Sequence, residues 1–328
     1  MITLDVTPDD LVKLRFAYRP LLEIPLSYRV LVNPSFQSPY HRWIDEAYRA
    51  LYANELPYLN ALVPDHGYIP DFLTPTPSAK RVDIEADFAE LLSTPDELIR
   101  KGISTLIEAD GETEMRRFFL TYPREAVACL VEEMRGYWQR TLKTYWSRMI
   151  STLESDMLYR ARRLALEGPA ALLNDLHSSV TYHGDQIHIQ PVCQHRSSDV
   201  ELTLSGNGIQ LVPLIFRGCG RMFQVDTDWP SMLAFGVHGT GLWHHKPPSQ
   251  SLEMAMGAGR ARVLQTLTTP ATTGEVAHKA QISAATASQH LSRLAKAGLV
   301  EAHRNGKRVY YHLSQRGVEL IELFERLY

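Results

Sequence analysis

The sequence predicts an α+β chain: a mostly helical N-terminal body that carries a small antiparallel sheet, followed by a C-terminal head of short helices and one hairpin. Three observations predict it. Helical stretches opened by caps and prolines dominate residues 7–177, and short runs of period two separated by Gly-containing turns fill 180–235. Beyond residue 257, three compact helical patterns are followed by two alternating strands. The boundaries that result are a helical body over 1–178, an antiparallel meander packed on it over 179–238, a linker over 239–250 and the head over 251–328. A length of 328 residues suits two or three domains.

The first helix is announced by Thr7 as N-cap, Pro8 at the first helical position and the acids Asp9 and Asp10 in the first turn. Further helices fit residues 40–53, 84–92, 95–107 and 112–120. The longest spans 123–163, broken near Leu153, and Pro169 restarts a short one ending by His177. The strand runs 180–189, 199–204, 208–216, 222–225 and 232–235 follow, with Gly184-Asp185 and Ser205-Gly-Asn-Gly208 among their turns.

In the head, Ala261, Val263, Leu264 and Leu267 share one helical face, and Pro270 ends that helix. A second helix starts at Thr272 or Thr273. Ser283 can cap a third, in which Ala287, Leu291 and Leu294 form the inner stripe while Ala285, Thr286, Ser288, Gln289, Ser292 and Arg293 lie outside it. An ordinary solvated helix carries Glu and Lys there; small and amide side chains instead let a backbone sink into a major groove. In such a groove Gln289 suits adenine, and Arg293 suits guanine or phosphate. Residues 299–303 and 308–313 then alternate by twos around Asn305-Gly306, a favoured hairpin turn, so Arg304, Lys307 and Arg308 project cations at the tip of a wing. The whole segment reads as a winged helix-turn-helix.

Those residues carry a resemblance. Ser283-Ala-Ala-Thr-Ala-Ser-Gln-His-Leu-Ser-Arg-Leu-Ala-Lys-Ala-Gly-Leu-Val300 followed by Arg304-Asn-Gly-Lys-Arg-Val-Tyr-Tyr311 resembles the DNA-binding core of the ArsR family of bacterial repressors, over roughly the last quarter of the chain. The resemblance implies that the helix opened by Ser283 enters the major groove, that the hairpin grips the backbone, and that the head acts as a homodimer on an inverted-repeat operator. His290 matches a position where that family commonly has His and is expected to pack between helices or touch a phosphate. Known metal sensors of the family use a Cys-x-Cys pair at the recognition helix or His and acidic ligands on the last helix. Residues 272–288 have no Cys and 318–328 no His, so the usual sensor is missing. The body, through Leu14-Arg-Phe-Ala-Tyr-Arg-Pro-Leu-Leu-Glu23, Tyr68-Ile-Pro-Asp-Phe-Leu-Thr-Pro75, Pro213-Leu-Ile-Phe216 and Gly239-Thr-Gly-Leu-Trp243, looks like the uncharacterised domain that precedes such heads in longer bacterial regulators.

Charge supports one nucleic-acid end. Between Gly257 and Gly317 nine Lys and Arg face two acids, a formal +7; with −3 for the whole chain, the rest carries −10. The expected DNA-contact residues are Thr273, Ser283, Ala285, Thr286, Ser288, Gln289, His290, Arg293, Arg304, Asn305, Lys307 and Arg308. Val318, Ile321, Phe324 and Leu327 form an apolar stripe on the last helix, expected to make the dimer surface. Aromatic residues Trp43, Tyr137, Trp138, Tyr145 and Trp146 are the candidate lining of a small-molecule effector pocket. No Gly-rich strand-to-helix turn and no Gly-x-Ser-x-Gly elbow appears, so the body is not expected to be an enzyme, and no cofactor or metal is expected. Two alternatives remain: a metal or redox role for Cys193, His195 and Cys219, and a winged module that docks protein or RNA. The start Met1-Ile-Thr-Leu-Asp-Val6 lacks a basic leader pattern and no long apolar run follows, which predicts a cytoplasmic transcription regulator, in the family's manner a repressor.

Overall fold

A computed structural model describes residues 1–33, 40–52, 55–77, 83–177, 179–190, 200–216, 223–224, 229–238, 250–267, 270–305 and 308–325. The chain is α+β and mostly helical, and it divides into two compact units: residues 1–37, 44–144 and 173–236, and residues 38–43, 145–172 and 237–328.

In the first unit, β1 (Ile2–Asp5) precedes the short helix α1 (Pro8–Val12), whose capping box pairs Thr7 with Asp10. Asp10 is buried and also accepts the Gly208 N–H at 2.8 Å, which ties this first turn to a turn two hundred residues on. After β2 (Arg15–Phe16) comes α2 (Pro20–Val32), apolar on nearly every side and buried from Pro20 to Leu31. The helices α3 (His41–Leu51), whose first three residues belong to the second unit, α4 (Pro57–Leu62), α5 (Ile84–Leu92), α6 (Asp96–Asp110) and α7 (Glu114–Thr121) follow. The central one is α8 (Pro123–Thr141): Ala126, Val127, Leu130, Val131, Met134 and Tyr137 are buried, and the helix packs against α2, α4, α5, α6 and α7.

The strands of this unit do not make one meander. β3 (Val180–His183), β4 (Gln186–Ile189) and β5 (Val200–Thr203) share a sheet with β1, in the order β3-β4-β1-β5. β6 (Gln210–Leu214), β7 (Phe223–Gln224) and β8 (Met232–Gly236) share another with β2, in the order β2-β6-β8-β7. The β3–β4, β1–β4 and β7–β8 pairs are antiparallel; β1–β5, β2–β6 and β6–β8 are parallel. Pro213 fits inside β6 because β2 pairs only with Gln210 and Leu211, so that edge is open where the missing N–H falls. Glu23 closes the end of β6: it is buried and accepts the Ile215 and Phe216 N–H groups at 2.8 and 3.0 Å. Burial pushes its carboxyl up to about 7 against the pull of those two bonds.

The second unit begins with α9 (Trp146–Glu167). The break in the long helical stretch falls at residues 142–145, eight or more residues before Leu153, and α9 belongs with the head. α10 (Pro169–Asp175) runs across the boundary back into the first unit. The head itself is α11 (Gln250–Met256), α12 (Ala258–Thr266), β9 (Ala271–Thr272), α13 (Thr273–Ala280), α14 (Ala284–Lys296), β10 (Val300–Asn305), β11 (Arg308–Leu313) and α15 (Gln315–Glu325). One core joins Leu252, Val263, Leu264, Val276, Leu291, Leu294, Val300 and Leu313 with Val318 and Ile321. That placement corrects the expected dimer stripe. Val318 and Ile321 are 4% and 2% exposed inside the head's own core, and Phe324 packs against it. An apolar stripe specifies burial without naming what it is buried against; Leu327 lies outside the described residues.

Gly317 marks the tightest point of this core. A Cβ there would sit 2.1 Å from the Leu299 carbonyl oxygen and 3.1 Å from Leu313 Cδ2, while its N–H is bonded to Ser314 Oγ at 3.1 Å. Gly317→Ala is expected to cost about 1–3 kcal/mol, the range for overpacking a filled core, read as a lower urea midpoint for unfolding of the full chain.

Candidate nucleic-acid interface

The two helices of the helix-turn-helix are fixed by local chemistry. Thr272 caps α13, its hydroxyl accepting the Glu275 N–H while the Glu275 carboxylate takes the Thr272 N–H at 2.7 Å. Thr273 is thus the first helical residue and half-buried. α13 ends at Gln281, held at φ 54°, the left-handed stop that turns the chain toward α14. Ser283 caps α14 by accepting the Thr286 N–H at 3.1 Å, and its hydroxyl meets the Thr286 hydroxyl at 2.8 Å. Thr286 is therefore half-buried and engaged at the cap.

Below that cap α14 divides cleanly. Ala287, Leu291 and Leu294 are buried, while Ala285, Ser288, Gln289, Ser292, Arg293 and Lys296 are exposed on the other side. Arg293 and Lys296 sit in the last turn, where the helix dipole favours cations. The exposed face carries no acid, so nothing on it repels a polyanion.

His290 is placed differently from a groove contact. Its ring is half-buried against α12: a Cβ built on Gly259 would lie 2.8 Å from His290 Nε2. Burial, with the charges of Arg260 and Arg293, lowers its pKa, so it packs as a neutral imidazole. Of its two expected roles the geometry keeps helix packing.

The wing is a regular antiparallel ladder from Val300↔Leu313 to Asn305↔Arg308, and β11 also pairs with β9 through Tyr310↔Thr272 and Tyr311↔Ala271. The ladder is described as far as the Asn305↔Arg308 pair, and Gly306 of the expected turn lies outside the described residues. Arg304 is exposed. Lys307 lies outside the described residues, as do the side chains of Asn305 and Arg308. So do Cys193, His195, Cys219 and the linker up to residue 249.

Sequence reasoning missed the support beneath the wing. Leu313 and Val300 turn into the head core, which leaves Glu301, His303, Tyr310 and His312 on the opposite face of the ladder. α9 covers that face. Tyr159 meets Tyr310 edge-on at 6.1 Å, the Arg162 guanidinium lies 5.1 Å from the Tyr310 ring centroid, and Glu167 lies 4.0 Å from His303. Asp156 and Arg160, each 1% exposed, form an ion pair at 2.7 Å. The only sequence signal for this was the density of Arg in residues 160–163, which also fits a solvated helix.

The five aromatic residues proposed for an effector pocket fall in different units. Tyr137 and Trp138 are buried in the first, where Tyr137 bonds Ser27 Oγ at 3.0 Å and stacks edge-on against Tyr28. Trp43, in the second, is fully buried; Tyr145 and Trp146 are half-buried at the start of α9. One cavity among the described residues, of about 600 Å³, is an open hollow lined by Asp5–Pro8 and His183–Gln186. Among the described residues no group of three His, Cys, Asp or Glu is placed to hold a metal ion, and no helix is long and apolar enough to cross a membrane.

This geometry defines a winged helix-turn-helix head. Residues 259–326 match the model of a family of unknown function, DUF7342. Among solved structures the chain is similar to reduced HlyU from Vibrio cholerae N16961, at 35% identity over 21% of this chain and 76% of that one, with a TM-score of 0.20, too low to argue from shape. No curated protein matches.

Proposed function

We propose that this chain is a transcription regulator that binds double-stranded DNA through α14 and the wing. The observation that carries this reading is the exposed face of α14: Ala285, Ser288, Gln289, Ser292 and Arg293 form an acid-free surface of small, amide and cationic groups beside a two-stranded hairpin. Ala and Ser permit close approach to base edges, Gln289 has the donor and acceptor for adenine, and Arg293, Lys296 and Arg304 supply charge for phosphates or guanine. Thr273 and Gly274, at the start of α13, offer backbone N–H groups to a phosphate on the flank.

In the manner of ArsR repressors, two heads on an inverted repeat would place their α14 helices about one helical turn of DNA apart. With Val318 and Ile321 committed to the head core, the homodimer would use other surfaces, with the exposed part of α15 at most a contributor. Repression follows if the operator overlaps a promoter.

The test is duplex selection from a random pool with the full chain, followed by anisotropy titrations of the selected duplex from 50 to 300 mM salt. Saturable binding is expected, with log K falling by about 0.9 per phosphate neutralised for each tenfold rise in salt. No saturable binding at 50 mM, or affinity indifferent to salt, overturns the reading.

A further inference from the structure

The first turn of α12 carries the opposite charge from the one a helix start favours. The partial positive charge at that end suits acids, yet the turn has none and holds Arg260. Gly257 is its N-cap, at φ 86°, and gives no side-chain acceptor to the opening N–H groups. Nothing within the helix accounts for a guanidinium at this position, whereas a bound anion would.

A second arginine stands close by on α14. Gly259 and His290 mark where the two helices touch: a Cβ on Gly259 would lie 2.8 Å from His290 Nε2 and 3.4 Å from its Cε1. Arg260 follows Gly259 directly, and Arg293 is one turn beyond His290 on α14. The two guanidiniums thus flank one imidazole; burial, and after it these two charges, lower its pKa. Both arginines are exposed, and neither has a hydrogen-bonded or ion-paired partner among the described residues. Arg262, the next cation of α12, turns its Nε to the Ala258 carbonyl at 3.4 Å. Two unpaired cations beside a neutral ring repel each other, and an anion between them removes that repulsion while accepting charge-assisted bonds from both forks.

We propose that Arg260 and Arg293 together grip one backbone phosphate of the bound duplex, which makes α12 a third DNA-contacting element beside α14 and the wing. This rests on the function proposed above and deepens it. A phosphate held from two helices at once reads no base; it fixes the depth and register of α14 in the groove. The spacing of the grip is set by Gly259, whose missing side chain lets α12 approach the His290 ring.

The test uses the full chain and the selected duplex, with a neutral methylphosphonate placed at one backbone position at a time. One position per half-site is expected at which neutralisation weakens wild-type binding about tenfold, while Arg260→Gln and Arg293→Gln lose no more than about twofold further there. Arg260→Gln is also expected to lower the slope of log K against log salt by about 0.9 and to leave the ranking of base-substituted duplexes intact. An Arg260→Gln chain with wild-type affinity and slope, or two variants insensitive to different phosphates, overturns the shared grip. A second readout needs no DNA. Inorganic phosphate, compared with chloride at equal ionic strength, is expected to raise the His290 pKa in the wild-type chain, because an anion between the guanidiniums cancels the charges that depress the ring, and to have no such effect in Arg260→Gln. A chain that binds no duplex but shows the phosphate effect keeps the anion site and loses the DNA reading. The methylphosphonate pattern without the phosphate effect assigns the site to the DNA backbone and not to free phosphate; neither effect overturns the site altogether.

Discussion

Asp156→Ala is expected to destabilise the second unit by about 3–5 kcal/mol, the range for removing one partner of a buried ion pair. Arg160 is 1% exposed, so the variant leaves a guanidinium in the interior with its carboxylate gone. It also strands the backbone N–H and ring N–H of His238, each of which loses its acceptor. Urea unfolding followed by circular dichroism at pH 7.5 measures the effect, with Glu154→Ala on the exposed face of the same helix as the control for lost side-chain contacts. The pH dependence has a definite sign. Asp156 is depressed in the folded state, so its contribution is complete above the ordinary aspartate value near 4 and is lost as pH falls toward the folded value. The gap between wild type and variant therefore narrows only below about pH 4. A penalty under 1 kcal/mol at pH 7.5 would mean that Arg160 reaches water or another carboxylate when Asp156 is removed.

That prediction concerns residues that local sequence patterns do not single out. An Asp and an Arg four apart on a helix rich in Arg have the signature of a solvated pair, and burial is decided by what lies across from them. Here it is His238, 82 residues later in the chain than Asp156. The strands β1 and β2 were illegible for the same reason: four and two residues long, they are strands because β4, β5 and β6 complete them. By contrast, the head was legible almost residue by residue. Ser283 as a cap, the inner stripe of Ala287, Leu291 and Leu294, and the alternation of β10 and β11 are short-range devices whose chemistry acts within four residues, whereas the start of α13 was open between Thr272 and Thr273 and its left-handed stop at Gln281 was not read. Periodicity misled only where it had to name a partner. The stripe on α15 is apolar because Val318 and Ile321 complete the head core, and His290 lies on the α12 side of α14 because residue 259 is a glycine that leaves room for its ring.

The candidate contact face was legible, and its test is a charge reversal at Arg293. Arg293→Glu is expected to lower affinity for the selected duplex by at least 100-fold. It removes a cation poised for guanine or phosphate and sets an acid beside the polyanion, in a groove where water screens it poorly. Stability should change far less. Arg293 is exposed and its favourable interaction with the helix C-terminus is worth about 0.3–1 kcal/mol, so the urea midpoint serves as the control for folding. A second signature is internal to the protein. Burial, Arg260 and Arg293 together depress His290, so the reversal is expected to raise the His290 pKa, visible by histidine NMR without any DNA present. Ser288→Glu, five residues earlier and also exposed on α14, is expected to weaken binding comparably while keeping Arg260 and Arg293 beside the His290 ring. Wild-type affinity in both variants would remove α14 from the interface and leave the wing, if anything, as the surface that touches DNA.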